Sequence, residues 1–289
     1  MKAAPALSLA GSYRHCRQVA RSQAKNFYYS FLLLSREQRD AMCAIYAFMR
    51  HCDDLSDDPA LNGAGAREAL ADWRRDLDAA LAGEYRGNPV WPAFHDAVRR
   101  YRIPHAYFHE MIDGVTSDLD PRRIQTFDEL YRYCYLVASV VGLTIIHIFG
   151  FESQRALVLA EKCGIAFQLT NILRDVREDA ARGRIYLPAD DLARHNVDPK
   201  ELNSSVMSER FRELMREQAA RARSYYEEAR PLLDLVDRSS RSSLWALIEI
   251  YSRLLNRIVA SDFDVLTRRI RLSSLEKTGI LLRALLSGR

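Results

Sequence analysis

The spacing of apolar residues restricts the fold of this chain more than any other feature of its sequence. Almost every apolar segment repeats at intervals of three and four residues, and no segment shows the apolar–polar alternation of a half-buried β-strand. Proline, glycine and asparagine separate these segments, as expected where helices end. The predicted helices span about 12–24, 36–54, 65–83, 90–101, 105–116, 127–150, 154–181, 206–235, 240–269 and 273–287. The pattern therefore predicts an all-α fold of packed helices.

The composition indicates one globular domain over residues 1–289. The chain is 48% hydrophobic, which suffices for one large core, and no linker, repeat or low-complexity tract divides it. Its 42 basic and 38 acidic residues are interspersed and leave a net charge of +4, so charge does not indicate a nucleic-acid partner. The five cysteines form no C-x-x-C pair, and no secretory signal is recognisable. Reduced thiols in a cytosolic protein are expected.

Two clusters of acidic residues lie far apart in the chain, each on a predicted helix. Asp53 and Asp57 form the first cluster, and Asn171, Asp175 and Asp179 form the second. Residues four apart are separated by only about 40° around a helix, so each cluster presents its oxygen atoms on one face. Like charges at this spacing destabilise an isolated helix, and a cation is expected to compensate them. A single pair of this kind is usually a solvated surface, but a second one indicates joint metal binding.

The ligand types in these clusters favour Mg²⁺, which prefers oxygen and completes its shell with water and substrate phosphates. Arg174, Arg177, Arg182 and Arg184 lie within or after the second cluster and suit a diphosphate. Metal ions and arginines together stabilise the charge of a departing diphosphate. The carbocation that remains needs a dry aromatic wall. Candidates for that wall are Phe27, Tyr28, Tyr29, Phe31, Tyr46, Phe48, Tyr131, Tyr133, Tyr135, Phe167 and Tyr251.

Three other segments permit more than one interpretation. His105 and His109 have a spacing that can bind zinc, but no third ligand is apparent, so a surface or structural role is preferred. The apolar run 136–151 is shorter than the roughly 20 residues that span a bilayer and is predicted to be a core helix. The stretch 268–289 combines basic and apolar residues and is interpreted as a surface helix, with peripheral contact to anionic lipid as the alternative.

Three further segments carry a resemblance to a known family. They are AIYAFMRHCDDLSDD at 44–58, YRYCYLVASVVG at 131–142 and GIAFQLTNILRDVREDAARGRIYLP at 164–188. In these segments the chain resembles the squalene/phytoene synthases, which are head-to-head prenyltransferases. The segments FYYSFLLL (27–34), DGVTSDLD (113–120) and HIFG (147–150) make it most similar to bacterial presqualene diphosphate synthases of hopanoid biosynthesis. The resemblance implies the single-domain isoprenoid-synthase helical bundle around a central cavity.

The same resemblance implies roles for individual residues. The expected metal ligands are Asp53, Asp57, Asn171, Asp175 and Asp179. The expected catalytic residues are the four aspartates and Tyr133, which handles a proton or stabilises the cation. Together with Tyr46 from the aromatic candidates, the expected substrate-binding residues are Lys25, Phe27, Phe31, Arg50, Gln168, Asn171, Arg174, Arg184 and Tyr251.

The implied function is a Mg²⁺-dependent condensation of two farnesyl diphosphates to presqualene diphosphate, with two or three Mg²⁺ ions and without NADPH. The product would pass to the next enzymes of squalene or hopanoid synthesis, and the protein would be cytoplasmic or peripheral at the inner membrane. The alternatives are a phytoene synthase that uses geranylgeranyl diphosphate and a complete squalene synthase that uses NADPH. The segment RGRIYLP (182–188) disfavours a class I terpene cyclase, and the complete set of aspartates disfavours a non-enzymatic scaffold.

Overall fold

The computed structural model describes residues 8–24, 27–120 and 123–286, with the side chain of Phe27 left out. In these ranges the α-helices are α1 Leu9–Gln23, α2 Phe27–Phe31, α3 Arg36–Asp57, α4 Gly63–Leu81, α5 Trp91–Arg100, α6 Ala106–Ser117, α7 Phe127–Cys134, α8 Val140–Phe149, α9 Arg155–Ala181, α10 Ala189–Arg194, α11 Glu209–Ala229, α12 Leu232–Leu235, α13 Arg238–Ala260 and α14 Ser274–Leu286. A π-helical turn, Tyr135–Ser139, joins α7 to α8, and a 3₁₀ helix spans Pro199–Asn203. The described part holds no strand beyond one isolated bridge, so the all-α prediction is confirmed.

The helix that carries the first acidic cluster is longer than predicted. Ser35 caps the start of α3 by accepting a hydrogen bond from the backbone N–H of Gln38. The helix continues to Asp57 rather than ending near residue 54. Asp58 then adopts an extended conformation (φ −67°, ψ 113°), because the residue before a proline is disfavoured in the helical region. Asp53 and Asp57 therefore lie on the last two turns of one helix.

The helix predicted at 206–235 is interrupted in the structure. It divides near Pro231, because proline has no N–H with which to continue the hydrogen bonding of α11. The short helices α2 and α10 and the 3₁₀ helix were not predicted, since segments of five or six residues are too short to show a helical period.

The helix predicted at 240–269 is also too long. It ends at Ala260, after which Asp262 and Phe263 adopt left-handed backbone conformations (φ 52° and 59°). The chain then runs without a helix over 261–273 before α14 begins. Glycine is the residue that most readily adopts this conformation. Neither residue is a glycine, so the sequence did not indicate this turn.

The long helix α9 lies at the centre of the fold, packed against α8, the π-helical turn, α11 and α13. Its close approach to the π-helical turn depends on Gly164. A Cβ atom at this position would lie 2.5 Å from Ser139 Cα, well inside van der Waals contact. Ser139 Oγ also donates a hydrogen bond to the carbonyl of Glu161 at 2.8 Å. These contacts hold α7, α8 and α9 side by side, and the three helices together line the central cavities.

Two helical stretches, Phe127–Phe149 and Arg155–Ala181, are long and apolar enough to span a membrane by length and composition. Of their most apolar windows, 56% and 67% respectively are buried inside the protein. Such burial is typical of the core helices of a folded domain. The position of the run 136–151 agrees with its prediction as a core helix.

The five cysteines, Cys16, Cys43, Cys52, Cys134 and Cys163, are unpaired and buried. Burial raises the pKa of Cys16, Cys43 and Cys163 to about 12, so these thiols stay protonated near neutral pH. His105 is the residue before α6, and His109 lies on that helix with its Nε2 atom 3.3 Å from Asp78 Oδ1. The role preferred for this pair from the sequence agrees with that contact.

Candidate active site

The two acidic clusters end at the same place in the fold. Arg184, which follows α9, has its Nη2 atom 3.6 Å from Asp57 Oδ1 at the end of α3. Asp118, directly after α6, lies within electrostatic range of both Asp57 and Asp179. The ends of α3, α6 and α9 therefore surround one acidic site.

The two aspartates of the first cluster have different surroundings. Asp57 is exposed and pairs with Arg184. Asp53 is accessible to solvent, but the protein around it removes much of the hydration of its carboxylate and raises its pKa to about 7. Arg50 lowers that pKa, yet Arg50 is itself paired with Asp54 at 2.5 Å. The charge of Asp53 is therefore only partly compensated.

In the second cluster the aspartate nearer the middle of its helix is the paired one. Arg174 Nε donates a hydrogen bond to Asp175 Oδ1 at 2.8 Å, and Arg269 Nη2 lies 3.0 Å from the same oxygen. Asp179 has no salt bridge within the described part of the chain. Burial and the charge of Asp175 raise the pKa of Asp179 to about 7. Asn171 Oδ1 is buried and has no hydrogen-bond partner.

Asp118 is a third acidic group at the site and belongs to neither cluster. The hydroxyls of Tyr133 and Tyr186 donate hydrogen bonds to its carboxylate at 3.3 and 2.9 Å, and the two rings stack at 4.7 Å. Burial raises the pKa of Tyr133 well above its ordinary value, so this phenol stays protonated. The sequence did not single out Asp118, because no acidic residue lies four positions away from it. Tyr186 lies in the RGRIYLP segment, which could have signalled it.

Two adjacent cavities lie beside the acidic site. The first, of about 140 Å³, is mainly apolar and runs along α8, α9 and α13. The second, of about 210 Å³, is lined by Asp53, Asp118 and Tyr133 together with apolar residues of α6. The residues that line both cavities are Met49, Val137, Val141 and Gln168. The cavities therefore share a wall, and the acidic groups lie at one side of it.

Only some of the predicted aromatic residues reach these cavities. Phe167 and Tyr251 line the apolar cavity and stack at 4.4 Å, and Tyr133 lines the second. Phe31 lines neither cavity; it is 1% exposed and packs in the core beside Tyr28. Its expected place in the aromatic wall stays a prediction.

Of three other predicted substrate contacts, one is described by the structure and two are not. Tyr46 is half-buried and lies close enough to Arg50 and Asp53 to interact electrostatically with both. Lys25 and the side chain of Phe27 lie outside the described residues.

A basic cavity adjoins the second cluster. It has a volume of about 250 Å³, and Arg174, Arg269, Arg271 and Lys277 lie in its wall. Arg269 and Lys277 were not predicted, since they are distant in sequence and come near α9 only through the turn after α13. Arg177 supports that turn by donating a hydrogen bond to the Leu266 carbonyl at 2.6 Å and is not part of the cavity.

The oxygen atoms at the site fit Mg²⁺. Asp53 and Asp179 are partly compensated carboxylates, and the orphaned Asn171 Oδ1 is a further hard ligand. No group of three or more His, Cys, Asp or Glu side chains in the described ranges forms a cage for one ion. Mg²⁺ ordinarily binds through one or two carboxylates and completes its shell with water and substrate phosphates. These residues would hold Mg²⁺ jointly with a diphosphate.

The sequence is similar to known proteins over most of its length. The model of the squalene/phytoene synthase family matches residues 20–276. The chloroplastic phytoene synthase 1 of Zea mays is 38% identical over 273 residues, which are 92% of this chain and 66% of that protein. The 15-cis-phytoene synthase of Synechococcus elongatus is 38% identical over 91% of this chain and 88% of its own length. The chain thus spans slightly less than two thirds of the plant protein.

Solved structures agree with this relationship. A dehydrosqualene synthase in complex with a ligand superposes with a TM-score of 0.88 at 30% identity, covering 96% of this chain and 97% of that one. Squalene synthase HpnC from Alicyclobacillus acidocaldarius superposes with a TM-score of 0.82 at 27% identity, covering 88% and 95%. These likenesses confirm the predicted all-α isoprenoid-synthase fold. The match to the family model and the identity to its relatives show that the chain belongs to the squalene/phytoene synthase family.

Proposed function

We propose that this protein is a Mg²⁺-dependent prenyltransferase that joins two farnesyl diphosphates head to head and forms presqualene diphosphate. The observation that carries the proposal is the pair of adjacent cavities beside one acidic site bordered by arginines. Two prenyl chains in these cavities would have their diphosphates near the aspartates and their reacting carbons close together. Holding two reactants in this way supplies much of the rate enhancement of a bimolecular reaction.

The first step is departure of diphosphate from one substrate. Asp53, Asp57, Asn171, Asp175 and Asp179 would hold Mg²⁺, which when bound stabilises the charge that develops on the leaving diphosphate. Arg174 and Arg184 lie beside these aspartates, and a guanidinium binds phosphate oxygens in a planar, two-point geometry. The carboxylate partners of both arginines are themselves proposed metal ligands, so binding of metal and diphosphate would rearrange these ion pairs.

The second step joins the two chains. The C2=C3 double bond of the second substrate attacks the C1 cation of the first, and loss of a proton closes the cyclopropane ring. The stacked rings of Phe167 and Tyr251 offer π faces to a cation and exclude water. Tyr133 stays protonated and donates to Asp118, which makes it a poor base. The released diphosphate is the better candidate to accept the proton.

The apolar cavity is longer than an extended farnesyl group and shorter than an extended geranylgeranyl group, which favours a C15 substrate. Its lining extends along α9 from Asn171 to Ala160, which corresponds to about 16 Å at the rise of an α-helix. The extended main chain of a farnesyl group spans ~13 Å and that of a geranylgeranyl group ~18 Å, from the length of an extended chain per bond. Ile146 is the last residue of α8 that lines the cavity, and we propose that its side chain limits the depth.

Product analysis with the purified protein tests the reaction. With Mg²⁺ and farnesyl diphosphate but no NADPH, we expect presqualene diphosphate and free diphosphate. Absence of any C30 product would refute the proposal. The 38% identity to phytoene synthases favours geranylgeranyl diphosphate as the second candidate substrate. A higher kcat/KM with that substrate, with a C40 product, would establish this candidate, whereas squalene formed only with NADPH would indicate a complete squalene synthase.

A pair of matched variants tests the depth argument. Ile146→Ala deepens the cavity and should raise the ratio of kcat/KM for geranylgeranyl over farnesyl diphosphate about tenfold. Ile148→Ala removes the same atoms from an equally buried site that does not line the cavity, so this ratio should not change. Each variant should lose about 2–4 kcal/mol of stability. Equal ratios in both variants would contradict the assignment of Ile146.

A further inference from the structure

Exposed leucines are concentrated on α14. Of the nine large apolar side chains that are exposed in the described part of the chain, four lie on this helix of 13 residues. Leu275 and Leu286 are 85% and 88% exposed, and Leu282 and Leu285 are 56% and 63% exposed. An exposed apolar group of this size on one element marks an interaction surface rather than the scatter of single apolar residues found on most proteins.

These leucines lie on one face of the helix. At the angular spacing of an α-helix, Leu275, Leu282 and Leu286 lie within an arc of about 40°, and Leu285 lies roughly 60° from Leu282. Ile280 and Ala284 are on the opposite side and are fully buried. The helix therefore packs on α13 and α2 with one face and presents the other, which we call the leucine face, to solvent.

The charges around the leucine face are mainly positive. Residues 270–286 contain three basic side chains, Arg271, Lys277 and Arg283, and one acidic one, Glu276, which is paired with Arg257. Arg271 precedes the helix and Arg283 lies beside Leu282, and both are exposed. An apolar helix face with basic residues at its border is typical of helices that lie in the surface of an anionic bilayer.

The helix α14 also borders the basic cavity, on the side away from the leucine face. Lys277, in the first turns of α14, and Arg271 line the basic cavity that also contains Arg174 and Arg269. Arg174 and Arg269 both contact Asp175 of the second acidic cluster. The leucine face is therefore a surface separate from the wall of that cavity.

We propose that the leucine face of α14 docks on the surface of an anionic lipid bilayer. The leucines enter the acyl boundary while Arg271 and Arg283 contact acidic headgroups. Docking itself does not depend on the reaction.

Vesicle co-sedimentation of the full chain tests the proposal in the absence of substrate. The wild-type protein should bind vesicles of phosphatidylcholine with phosphatidylglycerol. The variant Leu282→Ser/Leu286→Ser should bind about a hundredfold more weakly, since each of the two leucines removed from water contributes roughly a tenfold factor. The control Val158→Ser/Val206→Ser removes two other exposed apolar residues, outside α14, and should bind like the wild type. Failure of the wild type to bind, or equal binding of both variants, would overturn the proposal.

A charge variant separates lipid from protein as the occupant. Arg283→Gln should weaken binding roughly fivefold on anionic vesicles and leave binding to pure phosphatidylcholine unchanged. A second copy of the chain is the competing occupant. A wild-type dimer that the leucine variant converts to a monomer, with no vesicle binding by either, would show that the leucine face is a dimer interface instead. Vesicle binding without any C30 product would reject the proposed function and leave the docking surface standing.

Discussion

The two aspartates of each acidic cluster look equivalent in the sequence, but in both clusters the structure gives them different surroundings. In the first, Asp57 is paired with Arg184 while Asp53 is only partly compensated. In the second, Asp175 lies between two arginines while Asp179 has no salt bridge in the described ranges. Each helix thus supplies one neutralised and one under-compensated carboxylate. Asp53 and Asp179 both interact electrostatically with Asp118.

This difference assigns two roles to aspartates that look alike in the sequence: binding a cation and holding arginines in position. An under-compensated carboxylate has free capacity for a cation, whereas a carboxylate between arginines also holds those arginines in position. The site therefore has an acidic centre whose negative charge is under-compensated, and arginines at its border. A metal–diphosphate complex fits this arrangement, because the metal ions neutralise the acidic centre and the arginines contact the anion.

The largest expected effect is on turnover. Asp53→Asn and Asp175→Asn should each lower kcat/KM by at least about a thousandfold, because each removes a charge that metal and diphosphate binding need from one cluster. The measurement is the rate of diphosphate release with saturating Mg²⁺. Asp58→Asn is the matched control, since Asp58 lies beyond the end of α3 and its Oδ1 only accepts a hydrogen bond from Ala60 N–H, which asparagine can also do. Near-normal rates in either cluster variant would remove that cluster from the metal site.

The same two variants should differ in stability, which sharpens the comparison. Asp175→Asn leaves the largely buried Arg174 without its charged partner and should cost about 2–3 kcal/mol, whereas Arg269 keeps its ion pair with Glu178. Asp53→Asn removes a charge that is poorly compensated and should leave the free energy of unfolding unchanged or higher. Denaturant unfolding of the metal-free protein measures both. Equal losses in the two variants would mean that the ion pairs of Asp175 contribute nothing.

A smaller effect is expected from the tyrosines that hold Asp118. Tyr133→Phe and Tyr186→Phe each remove one hydrogen bond to Asp118 and should each lower kcat about tenfold. If Tyr133 were the base that takes the proton, its loss would cost about a hundredfold or more, and Tyr186→Phe would not match it. Comparing the two rates therefore distinguishes a positioning role from proton transfer.

The smallest effect is a pH dependence of stability without Mg²⁺. The pKa of Asp53 and of Asp179 is about 7 in the folded protein and 3.8 as the ordinary value, so the folded state binds more protons between these values. Stability from these groups is therefore present at low pH and is lost as pH rises from about 4 to about 7. The difference between the unfolding temperatures at pH 5.5 and at pH 8 should be a few degrees smaller in Asp179→Asn than in the wild type. Mg²⁺ should raise the unfolding temperature of the wild type more at pH 8 than at pH 5.5.

Much of the architecture could be predicted because it depends on local sequence. The helical period, the cap at Thr126 and the break before Pro59 each involve neighbouring residues. The cap shows the limit of such prediction. The Thr-x-x-Glu sequence at 126–129 predicts a capping box, and Thr126 does accept a hydrogen bond from the Glu129 N–H, but the Glu129 carboxylate accepts from the Gln125 N–H instead. The left-handed turn at Asp262 and Phe263 could not be predicted, since no glycine or proline marks it.

The sequence by itself determined that the chain is helical, that two acidic faces exist and that both suit Mg²⁺, since helical period and ligand type are local properties. Only the tertiary structure decided that Arg269 pairs with Asp175, that Asp118 lies between the clusters and that Phe31 packs in the core. The physical reason is that charge compensation and burial depend on which side chains meet in space. Residues distant in sequence meet only after α3, α6, α9 and the turn after α13 have packed together.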